Sequence, residues 1–148
     1  MTYTESDKSI FRIDPKKYYY VHCISGDYAL GSGVAKEIDK RFRMREKLHD
    51  EYPLLPWEKY GHVGQALLVD HVFNLVVKPR FYHKANYKTL RKALISLRDK
   101  CQDNGITNIV MPRLCCGYDK LAWTVVFCTI AEVFSTTNIN ILVCFKGL

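Results

Sequence analysis

A chain of 148 residues is long enough for one compact domain and too short for two ordinary ones, so we expect a single domain over residues 1–148. Hydrophobic residues make up 48% of the chain and charged residues 25%, a composition that excludes an intrinsically disordered protein. The formal net charge of +7 favours polyanionic partners and phosphate-bearing ligands, although a basic surface that serves only solubility explains it equally well.

The cysteines and the apolar segments indicate the cellular compartment. Residues 1–12 are largely polar and charged, so no signal peptide is predicted and the six cysteines are expected to be reduced thiols. They form no Cys-x-x-Cys pair, and we predict neither a metal site nor a cofactor. The longest apolar stretch, residues 65–77, is interrupted by Asp70, His71 and Asn74, which leaves it short of the roughly 20 apolar residues of a membrane span. We expect an intracellular protein of the nucleus or the cytoplasm, with no membrane partner.

The first predicted strand leads directly into a glycine loop. Residues 18–24 are rich in aromatic and β-branched side chains, which favour a strand, and a loop of residues 25–33 follows. From Val34 onward, apolar residues recur at helical spacing. Such a loop offers free N–H groups to an anion, although the Gly-Ser-Gly of residues 31–33 could on its own be a plain turn. Lys36 stands where the dinucleotide fingerprint needs its third glycine, which disfavours a Rossmann dehydrogenase.

The remaining predicted elements alternate between strands and helices. This alternation predicts an α/β fold with three α/β/α layers, in which helices cover both faces of a mixed central sheet. Ligands of such sheets bind outside the carboxyl ends of the strands, where the loop of residues 25–33 lies. In chain order, the elements are a hairpin of residues 66–69 and 72–77, a helix through residues 90–101 that ends at Asn104-Gly105, a strand of residues 108–111, a helix of residues 123–134 and a strand of residues 139–145.

A second loop of small residues follows the strand of residues 108–111. Two such loops at the carboxyl ends of strands can clamp a diphosphate from both sides, because backbone N–H groups and helix N-termini attract anions. The two loops therefore predict a nucleotide-like ligand. The second loop, with one carboxylate near the start of a helix, has the sequence Met111-Pro112-Arg113-Leu114-Cys115-Cys116-Gly117-Tyr118-Asp119.

Lys78 and Asp119 are the candidates for nucleophilic and acid–base chemistry. Lys78 ends an apolar run and precedes Pro79, so its amine is expected at the carboxyl end of a strand. It could act as a nucleophile if desolvation or a cationic neighbour such as Arg80 favoured the neutral amine. A surface lysine is the commoner alternative. For Asp119 taken alone, the N-cap of the following helix is the favoured interpretation, whereas its position beside Gly117 is compatible with a catalytic carboxylate.

The cysteines and histidines near the loops allow more than one interpretation. A helix N-terminus favours the reactive thiolate form of Cys115 or Cys116, but no general base for such chemistry is identifiable. We therefore favour buried loop residues, with Cys116 packed beneath the loop. His22 and His83 are candidates for bases or ligand contacts, although a histidine at a strand end is more often simply hydrogen-bonded.

Together these residues resemble the macrodomain family, and specifically its terminal ADP-ribose protein glycohydrolase branch, also described as O-acetyl-ADP-ribose deacetylases. The resemblance covers nearly the whole chain, and its specificity lies in the order and spacing of several motifs. These are His22-Cys23-Ile24-Ser25 before Gly31-Ser32-Gly33-Val34-Ala35, then Lys78 with Arg80, His83, Lys84 and Tyr87, then Met111-Pro112-Arg113 and Cys116-Gly117-Tyr118-Asp119-Lys120-Leu121 with Trp123.

The resemblance implies a macrodomain fold and a catalytic pair. Lys78 would attack the anomeric carbon and displace the carboxylate of a modified glutamate or aspartate, while Asp119 would handle the protons. No metal or cofactor is then required. The implied partners of this expected monomer are ADP-ribose and ADP-ribosylated proteins, with poly(ADP-ribose) or nucleic acid as further candidates. The implied ligand-binding residues are Asp7, His22, Ser25, Gly31, Ser32, Gly33, Val34, Ala35, Leu114, Cys115, Cys116, Gly117 and Tyr118.

Two positions depart from the family's pattern. Ser6 replaces the glycine of the Gly-Asp pair that ends the family's first strand, so Asp7 is expected to bind the adenine amine, with Asp14 as the fallback. Cys115 occupies a position usually held by glycine, where a side chain would crowd the ribose or change the turn. A non-catalytic reader of ADP-ribose or its polymer, and a basic nucleic-acid-binding module, are the alternatives.

Overall fold

The computed structural model describes residues 1–58 and 61–146. Strands and helices alternate along this part of the chain, and a short 3-10 helix (Ile10–Arg12) lies between the first two strands. The strands are β1 (Thr2–Ser6), β2 (Tyr19–Ser25), β3 (Ala66–Val69), β4 (Val72–Lys78), β5 (Asn108–Met111) and β6 (Asn140–Cys144). The α-helices are α1 (Gly33–Phe42), α2 (Met44–Glu51), α3 (Tyr87–Asp103) and α4 (Trp123–Phe134).

The strands form one mixed sheet in the order β1-β6-β5-β2-β4-β3. Neighbouring strands are parallel except β3 and β4, which pair antiparallel with Ala66 opposite Leu75. The predicted hairpin and the predicted mixed sheet are therefore confirmed. β1 joins the sheet beside the last strand, with Thr2 opposite Asn140. Because five strands run in the same direction, their carboxyl ends lie along one edge of the sheet.

Helices cover both faces of this sheet, which confirms the predicted three-layer α/β/α fold. On one face, α3 and α4 bury Leu94 and Ile130 in the larger apolar cluster. On the other face, α1 and α2 bury Ile38 and Leu48 in a second cluster. Full burial of one such aliphatic side chain contributes about 1.5–3 kcal/mol, so the two clusters hold the layers together and fix the edge where the loops emerge.

The structure differs from the predictions mainly at the ends of elements. The first predicted strand begins at Tyr19 rather than Tyr18, and the last is shorter than residues 139–145 at both ends. Helix α2 lies outside the predicted elements because only Met44 and Leu48 on it are buried, which is too little to produce a periodic pattern. None of the described helices is long and apolar enough to cross a membrane.

Candidate active site

A cavity of about 610 Å³ lies at the carboxyl ends of β2, β4 and β5. Both predicted ligand loops line it, one after β2 and one after β5, as the position of ligand sites in α/β sheets leads one to expect. The volume is within the range of about 300–1,000 Å³ that is typical of small-molecule sites. The lining residues are 22–25, 29–35, 77, 78, 81, 112–115 and 117–119.

Lys78 and Asp119, the two residues predicted to be catalytic, form an ion pair in this cavity. The Nζ atom of Lys78 donates to Oδ1 of Asp119 at 3.0 Å, and the two side chains are only 11% and 8% exposed. The backbone N–H of Ala85 donates to the same oxygen, also at 3.0 Å. The N-cap interpretation of Asp119 is wrong, because α4 begins at Trp123 with Ala122 as its N-cap. The carboxylate instead points inward to the lysine.

The end of β4 is held in place by the start of α3. A capping box between Asn86 and Thr89 begins this helix. The hydroxyl of Thr89 also donates to the carbonyl oxygen of Val77 at 2.7 Å. This bond fixes the backbone one residue before Lys78, so the amine projects from a rigid strand end rather than from a mobile surface position.

Tyr118 covers the ion pair on its solvent side. Its ring centroid lies 4.6 Å from Nζ of Lys78, a cation–π distance. Tyr118 is nevertheless 57% exposed, so much of its surface remains open to solvent. The aromatic ring therefore separates the ammonium group from bulk water while remaining free to meet a ligand.

The first loop presents the N-terminus of α1 to the cavity. The N-cap residue Ser32 makes no side-chain capping bond, so the N–H groups of the first helical turn remain available to a bound anion. Gly33 has a φ of +59°, a left-handed conformation that favours glycine. This geometry suits a phosphate group, which binds helix N-termini through such N–H groups.

Four residues of the two loops hold a left-handed backbone without being glycine. They are Tyr28, Leu30, Cys115 and Lys120, with φ values of 54°, 43°, 60° and 55°. Such a conformation costs about 1–3 kcal/mol per residue and persists only where packing enforces it. Tyr28 and Leu30 are buried, which supplies that packing in the first loop. Strain concentrated in this way is typical of ligand-binding loops.

Cys115 adopts a left-handed backbone conformation, with a φ of 60°, which glycine reaches more easily than other residues. Its Sγ donates to Sγ of Cys23 at 3.3 Å, while the N–H of Leu121 donates to its carbonyl oxygen at 2.9 Å. The side chain is therefore accommodated against β2, and the turn retains a conformation that glycine adopts easily. The Cys116 thiol donates to the carbonyl oxygen of Leu114 at 3.3 Å and packs against the larger apolar cluster.

The Cys23 and Cys116 thiols are poorly suited to be the nucleophile of a hydrolase. The hydrogen bond shared with Cys115, followed by burial, raises the pKa of the Cys23 thiol well above its usual value. Burial also raises the pKa of the Cys116 thiol. Because the thiolate is the nucleophile in such catalysis, the shift at Cys116 favours the interpretation of this residue as a packed side chain.

His22 lies at the inner end of the cavity and is 1% exposed. Its Nε2 contacts Oδ1 of Asn74 at 2.5 Å, and because that oxygen only accepts, Nε2 carries the proton. Burial lowers the pKa of His22 to about 4, so the ring is neutral at physiological pH and is a weak base. His83 is exposed on the loop after β4 and lies outside the cavity lining.

Asp27 is a residue of the site that the sequence patterns did not indicate. Its carboxylate accepts from the Ser25 hydroxyl at 2.5 Å and from the N–H of Ala29 at 3.3 Å. It also accepts from the N–H of Phe81 at 3.0 Å. Asp27 therefore joins the loop after β2 to the loop that follows Lys78. The only sequence signal at this position is an aspartate that follows Gly26 in a turn. That pattern is too common to identify Asp27 as a residue of the site.

Two of the predicted ligand-binding residues lie outside the cavity lining. Asp7 is exposed just after β1, and β6 separates β1 from the three strands whose ends form the cavity. Contact between Asp7 and the adenine amine therefore stays a prediction. Cys116 directs its thiol toward Leu114, as the packed interpretation expects. The other predicted residues line one cavity: His22, Ser25, Gly31, Ser32, Gly33, Val34, Ala35, Leu114, Cys115, Gly117 and Tyr118.

The chain was compared with known proteins. No family model matches it. Two curated relatives match at 37% identity over 131 residues, which is 87% of this chain and 82% of each relative. Both are named ADP-ribose glycohydrolase OARD1, one from Bos taurus and one from Homo sapiens. This chain belongs to the OARD1 family.

Macrodomains are among the solved structures that resemble this OARD1-family chain. The DarG macrodomain of Mycobacterium tuberculosis gives a TM-score of 0.81 at 16% identity, with 99% of each chain covered. The DarG macrodomain of Thermus aquaticus gives 0.78 at 16% identity, with 97% of each chain covered. DarTG of Thermosipho africanus, solved in complex with ADP-ribose, gives 0.74 at 12% identity over 98% of this chain and 42% of that chain. The predicted macrodomain fold is confirmed.

Proposed function

We propose that this macrodomain binds ADP-ribose and removes it from modified glutamate and aspartate side chains. The observation that carries the proposal is the ion pair of Lys78 and Asp119 at 3.0 Å within the cavity. A nucleophilic amine and a carboxylate in direct contact are the two groups that displacement at an anomeric carbon needs. The name of the curated relatives, ADP-ribose glycohydrolase, supports this class of reaction.

Binding relies on the two loops rather than on charged side chains alone. The diphosphate would lie between the N-terminus of α1 and the backbone of residues 114–118, where N–H groups stabilise its negative charge. The distal ribose would then lie toward Lys78, next to the second loop. The net charge of +7 favours the approach of such a ligand.

The first chemical step forms a lysyl intermediate. Asp119 accepts a proton from the Lys78 ammonium, to which it is already hydrogen-bonded. The neutral amine attacks the anomeric carbon of the distal ribose and the bond from that carbon to the ester oxygen breaks. The departing glutamate or aspartate takes up the proton from Asp119, which becomes a carboxylate again. ADP-ribose is then attached covalently to Nζ of Lys78. The phosphate contacts hold the ligand in place throughout this step.

The second step releases ADP-ribose. Asp119 orients a water molecule and takes its proton as the oxygen attacks the same carbon, and the bond to Nζ breaks. The N–H of Ala85 holds Oδ1 of Asp119 in position while Lys78 is occupied by the intermediate. The scheme uses no metal or cofactor. Deacetylation of O-acetyl-ADP-ribose is proposed as a second activity, since that molecule presents another ester of the same distal ribose.

The main rival function is a reader that binds ADP-ribose without hydrolysing it. The presence of Cys115 in place of glycine favours this rival, because its side chain lines the part of the cavity next to Lys78. Against it, the Cys115 thiol is directed to Cys23, and both proposed catalytic side chains are present and paired. The two functions share the binding step and differ only in turnover.

The proposal is tested by incubating the protein with a glutamate-linked mono-ADP-ribosylated peptide and measuring released ADP-ribose. ADP-ribose affinity is measured by calorimetry alongside, for the wild type and for Lys78→Ala. Lys88→Ala is the matched control, because Lys88 is an exposed lysine of α3 outside the cavity lining. We expect release by the wild type and the control, and loss of release with retained binding in Lys78→Ala.

Other outcomes separate the alternatives. Binding without release by the wild type would make the protein a reader. Unchanged release by Lys78→Ala would reduce Lys78 to a structural residue, and the absence of both binding and release would contradict the proposal as a whole. A mass increase on the Lys78 peptide of the wild type, quenched with acid during turnover of the modified peptide, is the expected sign of the covalent intermediate.

A further inference from the structure

Cys23 and Cys115 form a thiol pair that connects the two ligand loops. The two Sγ atoms are 3.3 Å apart, although 92 residues separate them in the sequence. Cys23 lies near the end of β2, just before the first loop, and Cys115 lies in the second loop. Both residues line the cavity, so a small reagent that enters the cavity can reach them.

This pair lies next to the proposed catalytic groups. The charges of Asp119 and Lys78 both act on the Cys23 thiol, so the three side chains share one environment. Cys115 belongs to the same loop as Asp119 and precedes it by four positions. Any movement of the Cys115 backbone therefore alters the position of Asp119 relative to Lys78.

We propose that Cys23 and Cys115 are a redox modification site, at which a hydroperoxide converts the two thiols to a disulfide and lowers turnover at the cavity. The effect on turnover rests on the hydrolase function proposed above, whereas formation of the disulfide does not.

The chemistry proceeds in two steps and consumes one hydroperoxide. Cys115, reached through the cavity, attacks the outer oxygen of the hydroperoxide, forming a sulfenic acid and releasing water or an alcohol. The sulfur of Cys23 then attacks the sulfenic sulfur, the S–O bond breaks, and the hydroxyl leaves as water with the proton of the Cys23 thiol. Two thiols are oxidised to one disulfide, and the peroxide bond takes up the two electrons.

The geometry links the disulfide to the catalytic pair. A disulfide has an S–S distance of about 2.0 Å, so the two sulfur atoms must approach by about 1.3 Å from their 3.3 Å separation. Cys23 is anchored in β2 at the centre of the sheet, so most of this movement falls on the second loop. A misplacement of about 1 Å at a catalytic group can lower the rate by about 100-fold.

The test compares reduced wild-type protein with the same protein treated with hydrogen peroxide. Remaining thiols are alkylated, the protein is digested without reductant, and linked peptides are identified by mass spectrometry. We expect a peptide linked through Cys23 and Cys115, and a loss of ADP-ribose release of about 100-fold that a dithiol reductant restores. Cys115 and Cys116 lie in one tryptic peptide, so the wild type alone does not show which of them is linked to Cys23. A linked peptide that persists in Cys116→Ser assigns the disulfide to Cys115.

Two variants complete the test. Cys23→Ser should form no linkage, and its release should be the same before and after peroxide. Cys128→Ser is the matched control, because Cys128 is an exposed cysteine of α4, and it should behave as the wild type. A disulfide to any other cysteine, no disulfide, or a Cys23–Cys115 disulfide without loss of release would overturn the proposal. If the reduced protein releases no ADP-ribose, the proposed hydrolase function is contradicted, but the redox proposal is not. The effect of the disulfide is then measured as the difference in ADP-ribose affinity between reduced and oxidised protein, determined by calorimetry.

Discussion

The ion pair of Lys78 and Asp119 leads to a stability prediction in which two substitutions together are less harmful than one. Asp119→Ala would leave the Lys78 ammonium in a site where that side chain is 11% exposed. The Ala85 N–H would also lose its acceptor. Removal of one partner of a buried ion pair costs about 3–5 kcal/mol, because the remaining charge is uncompensated. We expect a loss of about 3 kcal/mol, since the cavity admits some water to the ammonium.

The double variant Lys78→Met/Asp119→Ala removes both charges. Replacement of a buried ion pair by apolar groups is often close to neutral, which leaves the unsatisfied Ala85 N–H as the main cost, at about 1–3 kcal/mol. The double variant should therefore be more stable than Asp119→Ala alone, by up to about 2 kcal/mol. Simple additivity of two destabilising substitutions would give the opposite order.

Urea unfolding followed by tryptophan fluorescence measures these differences, with Trp123 as a reporter near the site. The exposed pair of Lys47 and Asp70, with side chains 39% and 59% exposed, is the matched control. There, Lys47→Met and Asp70→Ala should each change the free energy of unfolding by less than about 1 kcal/mol and should combine additively. If the Lys78→Met/Asp119→Ala protein is less stable than Asp119→Ala, the reasoning from uncompensated charge is refuted.

Two further residues of the site yield predictions. Asp27→Ala removes the carboxylate that joins the two loops through the N–H of Phe81, so ADP-ribose release should fall while circular dichroism stays unchanged. Asp50→Ala, at an exposed position of α2, is the control, and unaltered release by Asp27→Ala would contradict the positioning role. His22 has its pKa lowered to about 4 by burial, so its neutral form stabilises the fold above pH 6.5 and this contribution is lost as the pH falls toward 4. Between pH 7 and pH 4, the free energy of unfolding measured with urea should fall by about 3 kcal/mol more for the wild type than for His22→Gln. Equal losses would mean that His22 titrates normally.

The fold was predictable because its elements carry local patterns. The two apolar segments that flank Asp70-His71 predicted the antiparallel hairpin. The helical spacing of apolar residues from Leu90 to Cys101 predicted α3, one of the two helices that cover one face of the sheet. Helix α2 gave no such signal, since its stability comes from two buried side chains on a polar segment. Local patterns thus identify elements that carry their own apolar face and miss those held by one or two contacts.

The candidate site was predictable only in part, because loops and strand ends can be found in sequence but long-range contacts cannot. The positions of Lys78 and Asp119 could be predicted from the neighbouring strand end and loop. Their direct contact, between residues 41 positions apart, could not be predicted. Asp119 makes this contact instead of serving as the helix N-cap that was expected. The contact of Asp27 with Phe81 spans 54 residues, and the contact between Cys23 and Cys115 spans 92. No local periodicity encodes such pairings.

The pairing of β1 with β6 determines the order in which the sheet can assemble during synthesis. Thr2 is translated long before its partner Asn140. The strands β2, β4 and β5 leave the ribosome much earlier and can pair while β1 still has no neighbour. β1 is consequently the last strand to join. Its short, mostly exposed sequence, Thr-Tyr-Thr-Glu-Ser, makes it a poor template for pairing with another nascent chain in the meantime.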